Sequence, residues 1–424
     1  MLERRRLLQG GAIAVAGLLS SRGAGAADPT RPEWMQVPGG PFTPYGTPAA
    51  HEAEVVRWVS ANRAVPGNGA SWTPLQALEG IVTPNGLHFE RHHNGVPEID
   101  PARHRLLIHG LVDRPLAFSV ADLLRYPLQS RLCFIECAGN SNTSWNRRPL
   151  QSAAGNLHGL VSCAQWTGVP LSTVLAEAGV GARAAWLVAE GADAFAMKVS
   201  LPLEKALNDT LLALFQNGER LRPGNGYPLR LIVPGWEGVL SVKWLRRIEL
   251  TDRPAMTRDE TARYTDLLAD GRARRFAFEQ PVKSLITSPS AGMHLPPGLH
   301  QLSGLAWSGA GRIARVEVST DGGASWADAA LDEPILPACC TRFRLPWQWN
   351  GTPATLQSRA TDEAGATQPE RRALLRERGP NAYYRYNAIV RWHVNERGFV
   401  SHVYDEAEPE PGAGGAAGID VDWQ

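Results

Sequence analysis

The chain has five cysteines: Cys133, Cys137, Cys163 and the adjacent Cys339 and Cys340. Cys137 closes the apolar run Cys133-Phe134-Ile135-Glu136 and is followed at once by Ala138-Gly139-Asn140, residues suited to a turn. A nucleophilic thiol wants a basic partner, but no cysteine-protease signature surrounds this one. A zinc site wants several thiolates and imidazoles, and Cys133 and Cys137 alone do not supply them. Two readings remain open for the stretch taken alone: a metal ligand, or a buried thiol acting as a small hydrophobe. An odd number of cysteines in so long a chain is not a disulfide framework. In an oxidising compartment each unpaired thiol needs a reason, such as burial or a bound metal.

The elements that must position such a residue come from a chain of 424 residues, long enough for two domains or more. Charged residues make up 20% and hydrophobic ones 43%, and the formal net charge of +1 gives no footing for nucleic acid. Residues 1–26 read as an export leader. Arg4-Arg5-Arg6-Leu7-Leu8 precedes a short apolar stretch, and Ala24-Gly25-Ala26 resembles a small-residue cleavage site. Paired arginines before leucines resemble the twin-arginine type of signal, so a periplasmic location is expected. The apolar stretch is too short to span a bilayer, which takes about 20 residues. Residues 27–80 read as an extended arm rich in Pro, Gly and Trp.

From 81 to 281 strand-like runs alternate with short helices. Strands are expected at 105–111, 132–137, 184–189 and 229–233, and a helix at 171–178, which gives an α+β domain. From 282 to 395 no long helical period appears. The alternation Val316-Glu317-Val318-Ser319, the turn Asp321-Gly322-Gly323 and the resumption at Trp326 are hairpin chemistry within a β-sandwich. Residues 396–424 read as an acidic, disordered tail.

Several motifs then line up in one order. The segment Phe89-Glu90-Arg91-His92-His93-Asn94-Gly95-Val96-Pro97 resembles the Phe-x-Arg-Asn-His-x-x-x-Pro element of the sulfite oxidase family of molybdenum enzymes. Cys137-Ala138-Gly139-Asn140 is similar to that family's metal-cysteine motif. Residues 226–235, residues 241–245, Ala306-Trp307-Ser308-Gly309 and the Asp-Gly-Gly-Ala-Ser-Trp hairpin follow in the family's order. The resemblance covers about residues 81–395 and implies a mixed α/β molybdopterin domain followed by an immunoglobulin-like dimerisation domain. It also implies a homodimer and one molybdenum–molybdopterin per chain, with Cys137 as the metal's thiolate ligand. Phe89, Glu90, Arg91, His92, His93, Asp193, Asn225, Arg230, Ser241, Val242 and Lys243 would hold the pterin and its phosphate. Arg91 and Tyr264 would face the substrate together with Cys137. Taken one at a time, Arg230 and Lys243 would pass for surface ion pairs, Asp193 for a turn residue and Tyr264 for a surface aromatic.

The chain also departs from the family's pattern. Where sulfite oxidases place a second arginine, five residues past the metal cysteine, stands Asn142; their pocket tryptophan falls near Asn156. The stretch matching a third arginine reads Tyr386-Asn387-Ala388-Ile389. A pocket for the free sulfite dianion should keep its bidentate cations. Arg147 and Arg148 are the candidates to replace them, which keeps free sulfite open as the alternative substrate. The pattern as a whole resembles most the molybdenum subunits of sulfane dehydrogenases, which implies a sulfane sulfur held on a carrier protein's cysteine. Neither Cys-x-x-Cys-His nor His-Pro-Gly-Gly occurs, so no haem is expected on this chain and a c-type cytochrome subunit is the implied electron acceptor.

Overall fold

The computed structural model describes residue 35 and residues 44–405, apart from 269, 276, 380 and 381. The expected leader and the end of the tail lie outside those residues. Residues 44–54 carry one 3-10 turn, Ala50–Glu52. The remainder, from Val55 onward, is one compact unit.

Its first half is built on three sheets. Trp58–Ala61, Gly69–Trp72 and Glu90–His92 form an antiparallel trio that carries Arg91 opposite Ala70. This corrects the expected boundary at residue 80, because the second part of the presumed arm is woven into the domain that carries the Arg-His-His segment. A second sheet runs Glu219–Arg220, Leu211–Gln216, Val161–Pro170, Gln129–Glu136, with Arg230–Ile232 also paired to Leu211–Gln216. A third runs Leu116–Ser119, Arg105–Gly110, Leu245–Thr251, Trp186–Gly191, Lys198–Pro202. Its pairing of Arg105–Gly110 with Leu245–Thr251 is parallel, so the chain between them crosses over.

The helix Leu171–Ala178 forms where its sequence directs it. Leu171, Val174, Leu175 and Ala178 recur at helical spacing on one buried face, and Gly179, at φ 71°, ends it. Strand Gln129–Glu136 is exposed at its start and fully buried over its last four residues, so it dives into the core and surfaces at Cys137.

The second half is a sandwich. Lys283–Ser288, Gly298–Trp307, Thr341–Trp349 and Ala330–Leu331 make one sheet; Ala327–Asp328, Ile313–Ser319, Ala354–Asp362, Arg391–Val394 and Val400–Val403 make the other. The Asp321-Gly322-Gly323 turn pairs Glu317 with Asp328, as hairpin chemistry requires. The expected start of the tail at 396 is corrected. Trp392 faces His402 across the last hairpin, and His402 is buried, because this edge covers Trp392 in the core.

The two halves share one core, in which Phe134, Leu157, Val161 and Cys163 pack with Val282, Trp307, Cys339 and Phe343. Cys133, Cys163, Cys339 and Cys340 are all buried free thiols, with 3.5 Å between the sulfurs of Cys163 and Cys339. They act as small hydrophobes. Cys137 alone keeps partial exposure. Among the described residues no helix is long and apolar enough to cross a membrane.

Candidate active site

Cys137 sits at the end of its strand in a turn fixed from below. Its backbone N–H donates to Leu160 O at 2.9 Å, and its carbonyl accepts from Asn140 N at 2.9 Å. Asn140 bridges the turn's two sides: Nδ2 donates to Glu136 Oε1 at 2.8 Å, and Oδ1 accepts from Leu160 N at 3.0 Å. Glu136 is the anchor. It accepts from Lys283 Nζ at 3.1 Å and from Trp307 Nε1 at 2.7 Å, so two sandwich residues grip the base of the cysteine loop. Ser141, in left-handed conformation at φ 62°, receives Lys283 Nζ at 2.7 Å and lies 2.7 Å from His158 Nδ1. Backbone strain of that kind persists where the surroundings over-determine it. Burial pushes the Cys137 thiol up, while the Gly139 backbone N–H and the nearby Arg91 charge work in the other direction. A metal takes the thiolate, and those two groups are already arranged to favour it.

A cationic cradle is built on the Arg91-His92 segment. Lys243 Nζ donates to Arg91 O at 2.9 Å and lies 2.7 Å from His92 Nδ1. Arg230, buried beside Trp166, donates to Ser241 O at 3.1 Å and Asn225 O at 3.0 Å. Burial pulls Lys243 well below its ordinary pKa, and the Arg230 charge adds to it; burial alone brings Arg230 down to about 9. Burial pushes the Glu90 carboxyl up, but hydrogen bonds from His92 and Arg57 outweigh it and hold it at about 2. Burial keeps His92 neutral, at about 4. So much buried positive charge asks for an anion.

The same region holds unpaired polar atoms. Asp193 Oδ1 and both side-chain heteroatoms of Asn225 are buried without a hydrogen-bond partner among the described residues. Each such group is costly unless a ligand satisfies it. Donors, acceptors and cations together fit a polar heterocycle with a phosphate, so the residues present fit a molybdopterin.

Tyr264 and Arg91, the residues expected to meet substrate, both lie near Cys137. Tyr264, at φ 29°, places its hydroxyl 3.4 Å from His93 Nε2, and His93 stacks on Phe195 with ring centres 4.2 Å apart. Arg263 Nη1 approaches His93 Nδ1 at 3.4 Å. Arg91 is half-buried, with Nη1 donating to His92 O and 3.4 Å from Gly69 O. Asn142 donates to Tyr383 Oη at 2.9 Å, and Arg385 N donates to Ala138 O at 2.7 Å, laying residues 383–385 against the cysteine turn.

Some expected contacts take other roles. The Phe89 ring is core, packed with Ile135, Leu160 and Trp166, and its N–H is taken by Ser162 Oγ. Val242 packs in the core, and the Ser241 hydroxyl accepts from Val233 N. Neither side chain is turned to the cradle, so a phosphate would meet this loop through Lys243. Glu90 orients His92 and Arg57 at 3.0 and 2.6 Å. Arg147 and Arg148 are exposed. Sequence reasoning missed Arg57, Glu136, Lys283 and Tyr383–Tyr384. Only Asn140, inside a recognised motif, offered a signal. A cavity of about 540 Å³ lined by Gln76, Gln151, Met293 and Val400 shares no residue with this set.

Comparison with known proteins agrees with this geometry. Residues 93–258 match the oxidoreductase molybdopterin binding domain, and residues 274–391 the Mo-co oxidoreductase dimerisation domain. Sulfite oxidase of Gallus gallus is 33% identical over 323 residues, 70% of each chain. Mitochondrial sulfite oxidase of Homo sapiens is 32% identical over 75% of this chain and 63% of its own length. The crystal structure of the sulfane dehydrogenase SoxCD from Paracoccus pantotrophus superposes with a TM-score of 0.86 at 44% identity, covering 89% of this chain and 98% of that one. With both domains matched and a relative 33% identical over 70% of its own length, the chain belongs to the sulfite oxidase family of molybdopterin oxidoreductases.

Proposed function

We propose that the protein oxidises a sulfane sulfur carried on a protein cysteine and passes the electrons to a c-type cytochrome subunit, in the periplasm after twin-arginine export. The observation that carries the substrate is the uncharged wall of the site. Where a sulfite pocket would set a second arginine, five residues past the cysteine, the chain has Asn142 bonded to Tyr383. The 44% identity to a sulfane dehydrogenase supports the same reading. The leader Arg4-Arg5-Arg6-Leu7-Leu8 supports the location.

When bound, a molybdenum cofactor supplies two-electron oxygen-atom transfer to sulfur. The chain's residues do the rest. Cys137 gives one thiolate. Arg91 holds negative charge on the incoming sulfur group, the guanidinium being a fixed fork of donors. Burial and the charge of Arg91 keep His93 neutral, at about 3. With Arg263 donating to Nδ1, the ring proton sits on Nε2 and points at Tyr264 Oη. That leaves the phenolic O–H free to donate into the pocket. Burial holds Tyr264 well above its usual pKa, so it is a hydrogen-bond donor at neutral pH.

Free sulfite is the second reading, favoured by the retained Arg91 and by the identity to sulfite oxidases. Steady-state assays on molybdenum-loaded protein separate the two. Turnover of a persulfidated carrier with cytochrome c is expected, with a specificity constant for free sulfite at least 100-fold lower. High turnover with sulfite and cytochrome c alone, without carrier, would overturn the sulfane reading.

A further inference from the structure

The segment beyond the sandwich helix Arg371–Arg378 returns to the metal cysteine, and its two tyrosines have no role so far. Arg385 N is bonded to Ala138 O, one residue from Cys137. Arg385 itself reaches down to Asp266 and Glu237, and Arg378 to Asp266 at 2.5 Å, so the segment is fixed by buried ion pairs. Tyr384 stacks on Tyr264 at 5.5 Å. Tyr383 crosses Tyr384 edge-on at 4.9 Å and accepts a hydrogen bond from Asn142. Both rings are only partly buried.

We propose that Tyr383 and Asn142 are specificity-determining residues that fit the pocket to a sulfur group bearing one organic substituent and a single negative charge, against free dianions. This rests on the sulfane reading above and names the ligand chemistry of that site. Tyr383 Oη already accepts from Asn142, so its own hydrogen is left to donate. Neutral donors orient an anion but return less energy than charged ones, so they compensate one buried charge better than two. Arg91 is the cation that acts on the cysteine; Arg263 is exposed and turned to His93, and Arg147 and Arg148 are exposed on the loop beyond. The partly exposed rings of Tyr383 and Tyr384 offer apolar surface to the organic substituent, which a free oxyanion lacks.

The test is equilibrium binding by calorimetry on the holoenzyme, with methanesulfonate (one substituent, one charge) and sulfate (a free dianion). Wild type is expected to bind methanesulfonate at least tenfold tighter. Asn142→Arg should tighten sulfate at least tenfold and change methanesulfonate less than threefold. Tyr383→Phe, which keeps the ring and the melting temperature, should weaken methanesulfonate about fivefold. Equal affinities in wild type, or parallel changes for both ligands in Asn142→Arg, overturn the proposal. Tyr383→Arg provides the same readout if Asn142→Arg fails to fold. Because nothing turns over in this experiment, it stands apart from the assay of carrier oxidation: a wild type that oxidises only sulfite sinks the functional reading, and its binding selectivity still decides this one.

Discussion

Each functional side chain is asked to do something its surroundings oppose. Lys243 is a buried ammonium, Tyr264 a buried phenol, Cys137 a thiol raised by burial. A bound anionic group would relieve the first and a metal that takes the thiolate the last, while burial keeps Tyr264 the neutral donor the site needs. Lys243→Met should therefore leave the protein folded but cut molybdopterin retention at least tenfold, measured as pterin released per chain on denaturation; unchanged retention would remove Lys243 from the phosphate site. Tyr264→Phe keeps the ring stack with Tyr384 and loses the donor. Steady-state turnover should then fall by roughly two orders of magnitude while cofactor content stays the same, as expected when a positioned proton donor is lost. Turnover within a factor of two of wild type would take Tyr264 out of the reaction. The residue types at this scale were legible through resemblance: the cysteine stretch alone left ligand and core open, and the co-linear Arg-His-His and Cys-Ala-Gly-Asn motifs decided between them. What stayed hidden was direction. Phe89 and Val242 sit in the right motifs, but both lie in irregular backbone that packs their side chains into the core.

The cysteine turn is held by another domain. Glu136 ends its strand buried, and its charge is met by Lys283, 147 residues away, with Trp307 donating to the second oxygen. No local pattern announces such a partner, since the separation is set by how the sandwich docks. Strands and the 171–178 helix were readable from periodicity, because a half-buried element writes its own spacing. The edge hairpin ending at Val403 was not, because its polar alternation matches a tail until Trp392 is seen beneath it. Removing one member of a buried ion pair typically costs about 3–5 kcal/mol. Lys283→Met should lose that much in urea unfolding, and a loss under about 1 kcal/mol would show that Asn140 and Trp307 suffice for Glu136. Glu237 gives the element its pH dependence. Burial pushes its carboxyl up to about 7, partly opposed by Arg385. With the folded pKa above the unfolded one, the folded state holds the extra proton between about pH 4.5 and 7. Stability should fall as pH rises across that window, by about 3 kcal/mol in all. Glu237→Gln should flatten this slope in melting curves; an unchanged slope would assign it elsewhere.

At the scale of the molecule, the sandwich is both a wall of the catalytic half and the family's dimerisation domain. Those roles are compatible because they use different surfaces: Lys283, Trp307 and Cys339 face the shared core, leaving the remaining strand edges and faces for a second copy. Light scattering on the full-length chain should give twice its 46.0 kDa mass. Metal loading should then stabilise the whole unit rather than one domain, since the cysteine turn is gripped from both halves. The sulfur of Cys137 is where these lines meet. X-ray absorption at the molybdenum K-edge of the loaded protein counts its sulfur neighbours directly. Three are expected in wild type, two from the pterin dithiolene and one from Cys137, and two in Cys137→Ser. The same sulfur count in both proteins would contradict the role assigned to Cys137.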